Sequence, residues 1–299
     1  MLVLSRRDVE ACLDLDALIP ALARAHEELS SGGVSLPPRI AAFSSKGLLG
    51  TMPAYAPSAG LGAKLVSLFP ENRDRDTHQA AIMLFDPENG SPVALLDGTY
   101  VTAMRTAAAA ALAAKLLARE DARVLAILGT GVQSRAAQEM FPRVRAFDEV
   151  RVAGRGEFEE AVRGADVVHA ATAADEPVVQ ADWLAPGTHV SSVGYHPPGS
   201  ELDPAIVERA SLVCVELRDS AFAAPPAGAV ELAGLDPAAA VELGELVAGG
   251  RPGRGGPDEI TLYKSVGIAV QDLAAAALVL QEARMRKTGI EIELEELQP

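Results

Sequence analysis

The chain has 299 residues, enough to bury a full core in one large domain or two ordinary ones, and its 49% hydrophobic content is globular rather than disordered. A formal charge of −15 argues against nucleic acid or an anionic membrane surface as partner, leaving small molecules. The two cysteines, Cys12 and Cys214, form no CxxC or Cys/His cluster, so neither a disulfide framework nor a metal site is signalled and the cytoplasm is the expected compartment.

In chain order, "MLVLSRRDVE" lacks the basic-then-apolar order of a signal peptide, and no stretch reaches the ~20 apolar residues of a membrane span. Ser5 and Asp8 suggest a cap for a leading helix through "DVEACLDLDALIPALARAHEEL", which "SSGG" stops. From about 40 to 100, short apolar runs such as "AKLVSLF", "AAIMLFD" and "PVALLD" between turn-rich pieces predict strands. "TAAAAALAAKLLARE" then reads as a buried helix. The runs "RVLAILG", "EVRVAG", "ADVVHAAT", "THVSSVG" and "SLVCVEL" alternate with helical or loop material, the rhythm of a buried parallel sheet built from βαβ units. "RPGRGGPDE" predicts a loop, and "EITLYKSVGIAVQDLAAAALVLQEARMRK" a strand running into a long helix. The acidic tail "EIELEELQP" is read as a solvated end. The expected domains are 1–116 with 266–299, and 117–265.

Within "ILGTGVQS", Gly129 permits a tight strand-to-helix turn, Gly131 lets backbone approach a pyrophosphate, and the next helix offers unpaired N–H groups and a positive dipole end. Ser134 stands where the dinucleotide fingerprint has Gly or Ala. An αβ protein with no ligand also places two glycines at such a junction, so the turn by itself leaves both readings open. Arg155, at the end of the following strand, is either a solvated surface residue or the partner of a 2'-phosphate, which favours NADP(H) over NAD(H).

Arg39 in "LPPR", Lys64 in "GAKLV" and Arg105 in "TAMRTAA" are cations among apolar or kinked neighbours, and such groups need anions. Two partners fit: a substrate carboxylate, or ordinary salt bridges to the chain's own acids. His196 in "VGYHPPGSELD" follows a predicted strand end, and is an acid/base or a hydrogen-bonding loop residue. His78 has the same ambiguity. His26 and His189 look structural, and His169 lies in a predicted buried strand.

Taken together, "LPPR", "LGTMPAY", "GAKLVSLFPEN", "THQAAIMLFDPENGSPVALLDGTYVTAMRTAA", "ILGTGVQS", "LAPGTHVSSVG", "ELD" and "ITLYKSVGIAVQDLAAA" resemble the ornithine cyclodeaminase / mu-crystallin family in order and spacing over nearly the whole chain. That family includes cyclodeaminases, amino-acid dehydrogenases and cyclic ketimine reductases. The resemblance implies a homodimer, with an α+β dimerisation and substrate domain joined to a Rossmann domain. It carries the substrate carboxylate onto Arg39, Lys64 and Arg105. It carries the cofactor turn onto Gly129, Thr130, Gly131 and Gln133 and matches Lys264 and Ser265 to a returning "KS" signature; Val132, Arg155 and Thr172 complete the candidate cofactor site.

Three departures shape the expectation. Gly50 in "LGTMP" stands where cyclodeaminases carry a catalytic Glu, and His196 stands where they carry a catalytic Asp, so the expected bases for ring closure are missing. After Arg155, "GEFEEAVRGA" supplies one short crossover helix where the family has a further helix and edge strand. The expected fold is therefore α/β, with a Rossmann-type sheet shortened by an edge strand. The expected activity is an NAD(P)H-dependent reductase of a small carboxylate-bearing imine, or an amino-acid dehydrogenase, with Lys64 and then His196 as candidate proton donors. The alternatives are a cyclodeaminase with bound NAD and a non-catalytic small-ligand binder.

Overall fold

The computed structural model describes residues 1–194, 199–224 and 227–294, and the chain divides into two compact units, Met1–Arg105 with Ala269–Pro299 and Thr106–Ile268. A short strand, β1 (Leu2–Leu4), precedes the expected leading helix. Ser5 and Asp8 form a reciprocal capping box for α1 (Arg6–Cys12). The single helix expected from periodicity is two: the Asp14 side chain accepts from the amides of Asp16 and Ala17 and opens α2 (Leu15–Ser30). Apolar spacing resumes after this break, so periodicity alone passes over it. Five strands follow, β2 (Ile40–Phe43), β3 (Leu48–Ala56), β4 (Gly60–Leu68), β5 (His78–Phe85) and β6 (Pro92–Asp97). The alanine-rich α3 (Gly98–Leu117) carries the chain from the first unit into the second.

There strands and helices alternate: β7 (Val124–Leu128), α4 (Val132–Met140), β8 (Glu149–Ala153), α5 (Phe158–Val162), β9 (Val167–Ala170) and β10 (His189–Ser192). Then come α6 (Pro204–Arg209), β11 (Ala210–Val215), α7 (Arg218–Ala221), β12 (Val241–Glu242), α8 (Leu243–Val247) and β13 (Ile260–Lys264). The chain returns to the first unit as α9 (Ala269–Arg286) and β14 (Ile290–Glu291). Glu291, the first residue of the supposed free tail, is in this last strand, which pairs antiparallel with β1.

The first unit's sheet has the order β14-β1-β6-β5-β4-β3-β2, antiparallel except where β1 meets β6. α9 packs on α2 and lies across β3, β4 and β5. Register sorts the side chains, because partners across antiparallel strands share a face. Lys64 sits opposite Met52 and Ile82, all three buried. Leu65 sits opposite Thr51, which pairs in turn with Ile40, and this other face leaves Ile40, Leu49, Tyr55 and Leu65 exposed.

The second unit's sheet is parallel throughout, in the order β12-β11-β13-β10-β9-β7-β8. β9 and β10 are buried at every position, the continuous burial expected of a parallel sheet covered on both faces. β8 is one edge of this sheet, opposite β12, with its Val150 and Val152 each 43% exposed, and the one-turn α5 makes the crossing back to β9. Among the described residues no strand lies beyond β8, the shortened sheet that the sequence predicts. From β7 the chain goes outward to β8 and then returns to the opposite side of β7, so the β7/β9 boundary is a topological switch point, where open α/β sheets bind ligands.

Candidate active site

Each unit carries its own polar cluster. In the first, Lys64 from the middle of β4 and Arg105 from α3 converge on one carboxylate, Asp272 of α9. Lys64 Nζ lies 2.7 Å from Asp272 Oδ2, a buried ion pair. Arg105 Nε donates to Asp272 Oδ1 at 3.0 Å, and its Nη1 donates to Gln271 Oε1 at 2.7 Å. The Gln271 amide continues to His26 Nε2 at 3.0 Å. All five side chains are buried.

Burial alone would raise the Asp272 carboxyl, but the Arg105 and Lys64 charges prevail and hold it below its ordinary range. Burial pushes the Lys64 ammonium down to about 8; Asp272 opposes this, while Arg105 and the half-buried Arg39 add to it. His26 is pushed down to about 4, by burial first and Arg105 second, so it is neutral and accepts the Gln271 amide proton. His78 is open to solvent at the start of β5. Even so, the protein packed around its ring and then the charges of Lys64 and Arg105 push it down to about 4. Two buried cations, Lys64 and Arg105, face the single buried carboxylate of Asp272, so this trio carries a positive excess. Of the two partners open to these cations, the chain's own acid is the one observed for Lys64 and Arg105.

Asp272, Gln271 and the link to His26 were not found from the sequence. The available signal was an acid inside the apolar run "AVQDLAAA", since a buried charge demands partners.

In the second unit, the turn after β7 lies at the switch point. Gly129 has φ +111°, and a Cβ there would stand 2.5 Å from the Ala171 carbonyl oxygen at the end of β9, so only glycine fits. A Cβ on Gly131 would meet nothing within 4 Å. Gly131 also starts α4 without a side-chain cap, leaving its first amides for another acceptor. Thr130 and Val132 are exposed, and Gln133 Oε1 and Ser134 Oγ are buried without a hydrogen-bond partner. An open cradle, uncapped amides and unsatisfied polar atoms suit the pyrophosphate of a dinucleotide. Arg135, passed over in the sequence, donates to the Thr130 carbonyl at 3.1 Å and puts a further cation at this turn.

Arg155 is exposed just beyond the end of β8. Thr172 follows β9, its amide and hydroxyl both donating to Glu201. Lys264 is fully buried at the end of β13, and Ser265 donates to the buried Glu216, which also accepts the amides of Val266 and Gly267. His169 and His189 are buried in their strands as expected, whereas His196 lies outside the described residues. No group of three or more His, Cys, Asp or Glu among the described residues is placed to hold a metal ion, and none of their helices is long and apolar enough to cross a membrane.

The profile of the "Ornithine cyclodeaminase/mu-crystallin family" matches residues 1–160 and 152–287, two stretches that overlap where the edge strand is missing. The mouse (Mus musculus) "Ketimine reductase mu-crystallin" is 39% identical over 88% of this chain and 90% of its own. The structure of Thermococcus litoralis Δ1-pyrroline-2-carboxylate reductase in complex with NADH and L-proline is 32% identical, with a TM-score of 0.91 over 98% of this chain and 100% of that one. An archaeal alanine dehydrogenase dimer with bound NAD is 30% identical, with a TM-score of 0.90 over 99% of both chains.

Proposed function

This chain belongs to the ornithine cyclodeaminase/mu-crystallin family, and on that premise we propose that it is an NAD(P)H-dependent oxidoreductase reducing the C=N bond of a small imine that carries a carboxylate on the reacting carbon. The observation that carries this reading is the buried cluster of Lys64, Arg105 and Asp272 with its positive excess. Arg39 and Arg105 take the substrate carboxylate, Arg105 held in place by Asp272 and Gln271. A bound nicotinamide dinucleotide supplies the hydride. Lys64 Nζ gives a proton to the imine nitrogen, and a pKa of about 8 suits that task, because the group is charged at neutral pH yet releases its proton readily. Burial keeps water from competing for these charges. Run backwards, the same groups serve an amino-acid dehydrogenase.

Gly129, Thr130, Gly131, Val132 and Gln133 would hold the cofactor, with Thr172 at the neighbouring strand end. NADP(H) is preferred over NAD(H) because Arg155 meets a 2'-phosphate, and the exposed guanidinium supports this. Fluorescence titration tests it: NADPH binds more tightly than NADH, and Arg155→Ala narrows the difference. Equal affinities, unchanged in the variant, remove the assignment. The functional protein is a homodimer, a reading supported by the exposed Ile40, Leu49, Tyr55 and Leu65 on the sheet face opposite Lys64.

A further inference from the structure

A second buried carboxylate has no part in the reaction just described. Glu201, 2% exposed, follows β10 and precedes α6. Its Oε1 accepts the Thr172 amide at 2.6 Å and the Thr172 hydroxyl at 2.7 Å. Its Oε2 accepts the Gly194 amide at 2.7 Å and the Ser192 hydroxyl at 2.8 Å. Gly194 sits so close that a Cβ on it would come within 2.3 Å of both the Glu201 carboxyl carbon and the Thr172 carbonyl oxygen. A third strand end joins them: Lys264 Nζ, at the end of β13, donates to Ser192 Oγ, to the Gly194 carbonyl and to Glu231 Oε1, at 2.9–3.0 Å.

One carboxylate with four donors, tied to a buried lysine, is a costly way to fill space that apolar side chains could fill. What it accomplishes is local. Thr172 and Gly194 lie beyond the last ladder pairs of β9 and β10, where the sheet no longer fixes the backbone, and Glu201 locks both segments together. The place is specific as well. In the order β13-β10-β9-β7-β8, the glycine turn is at β7 and Arg155 is beyond β8. A dinucleotide whose pyrophosphate lies at the turn and whose adenosine points toward β8 must lay its other half along the ends of β9, β10 and β13.

We infer that Glu201 is a positioning residue for the nicotinamide half of the cofactor, holding the Thr172 and Gly194 backbone against which that half is seated. The inference rests on the dinucleotide reading above. It separates the two halves of the cofactor: the adenosine half depends on the glycine turn and Arg155, the nicotinamide half on the Glu201 network. Glu201→Gln keeps the size but replaces one of the two acceptor oxygens, each of which takes two donors, by an NH2 group, which cannot accept.

Calorimetric titration of full-length protein with two probes tests this: NADPH, and 2'-phospho-ADP-ribose, which lacks the nicotinamide. In Glu201→Gln, NADPH binding weakens about tenfold or more, while 2'-phospho-ADP-ribose binding stays within about twofold. Ser192→Ala, which removes one donor and leaves the carboxylate, shows the same asymmetry at smaller size, and it carries the test if Glu201→Gln does not fold. An equal loss for both probes marks a purely structural role and overturns the inference, as does no change for either. Wild-type protein that binds neither this pair nor NADH and ADP-ribose overturns the dinucleotide reading itself, and this inference with it; where only the NADH pair binds, the same comparison is made with it.

Discussion

Asp272 holds two cations with one carboxylate, and its charge is what keeps Lys64 from losing its proton at neutral pH. Asp272→Asn preserves the size and removes that charge, so the Lys64 pKa falls below about 8. Reduction needs Lys64 protonated. In the wild type kcat/KM therefore declines as pH rises through about 8, and in Asp272→Asn the decline begins at lower pH, so that kcat/KM at neutral pH drops by about tenfold. A pH profile of kcat/KM checks this, and an identical alkaline limb in the two proteins contradicts it. At this scale the sequence was legible for what stands out in a string and opaque for what forms by folding. Arg39, Lys64 and Arg105 are conspicuous cations in an acidic chain, and the second and third do converge on Asp272. Gln271 and Glu201 take their meaning from partners 166 and 29 residues away, distances over which no spacing rule operates.

Among the elements, the two turns that mattered were read from opposite sides. The β7–α4 turn was legible because glycine at Gly129 answers a hard steric demand from Ala171. The shortened β8–α5–β9 crossover was legible from length alone, since "GEFEEAVRGA" has room for α5 and nothing more. The break between α1 and α2 was missed, because the signal is a local capping choice by Asp14 that competes with a periodic pattern on both sides. That cap has a measurable share of stability. Asp14→Ala removes the acceptor for two α2 amides and lowers unfolding free energy by about 1 kcal/mol, to be read from denaturant midpoints. An unchanged midpoint would mean that packing of α2 on α9 alone fixes the start of the helix. The loop "RPGRGGPDE" is also firmer than its composition suggests, since Arg254 donates to the Leu117 carbonyl and to Thr261.

For the whole molecule, three buried histidines contribute to the loss of stability in acid. Burial pushes His26 down to about 4 and His169 and His189 down to about 3, from an ordinary value of 6.5. Folded protein keeps them neutral while unfolded chain protonates them, so their contribution is complete above pH 6.5 and is lost as pH falls from 6.5 toward 4 and 3. Each adds up to about 1.4 kcal/mol of lost stability per pH unit in that window. Denaturant unfolding at about pH 7 and about pH 5 should therefore show the chain clearly weaker in acid, and equal stability would contradict the burial of these rings. Fold class was legible because parallel strands write continuous apolar runs and antiparallel ones write short runs between turns. The choice of reaction was legible mainly through absence, in Gly50 and the missing carboxylates. The central claim is hydride delivery to a carboxylate-bearing imine carbon, and deuteride transfer tests it most directly. With NADPH or NADH deuterated at the reacting carbon of its ring and Δ1-pyrroline-2-carboxylate or a larger cyclic imino acid, the product amino acid should carry deuterium on the carbon next to its carboxylate; both cofactors left unconsumed across that series, or product free of deuterium, would contradict the account.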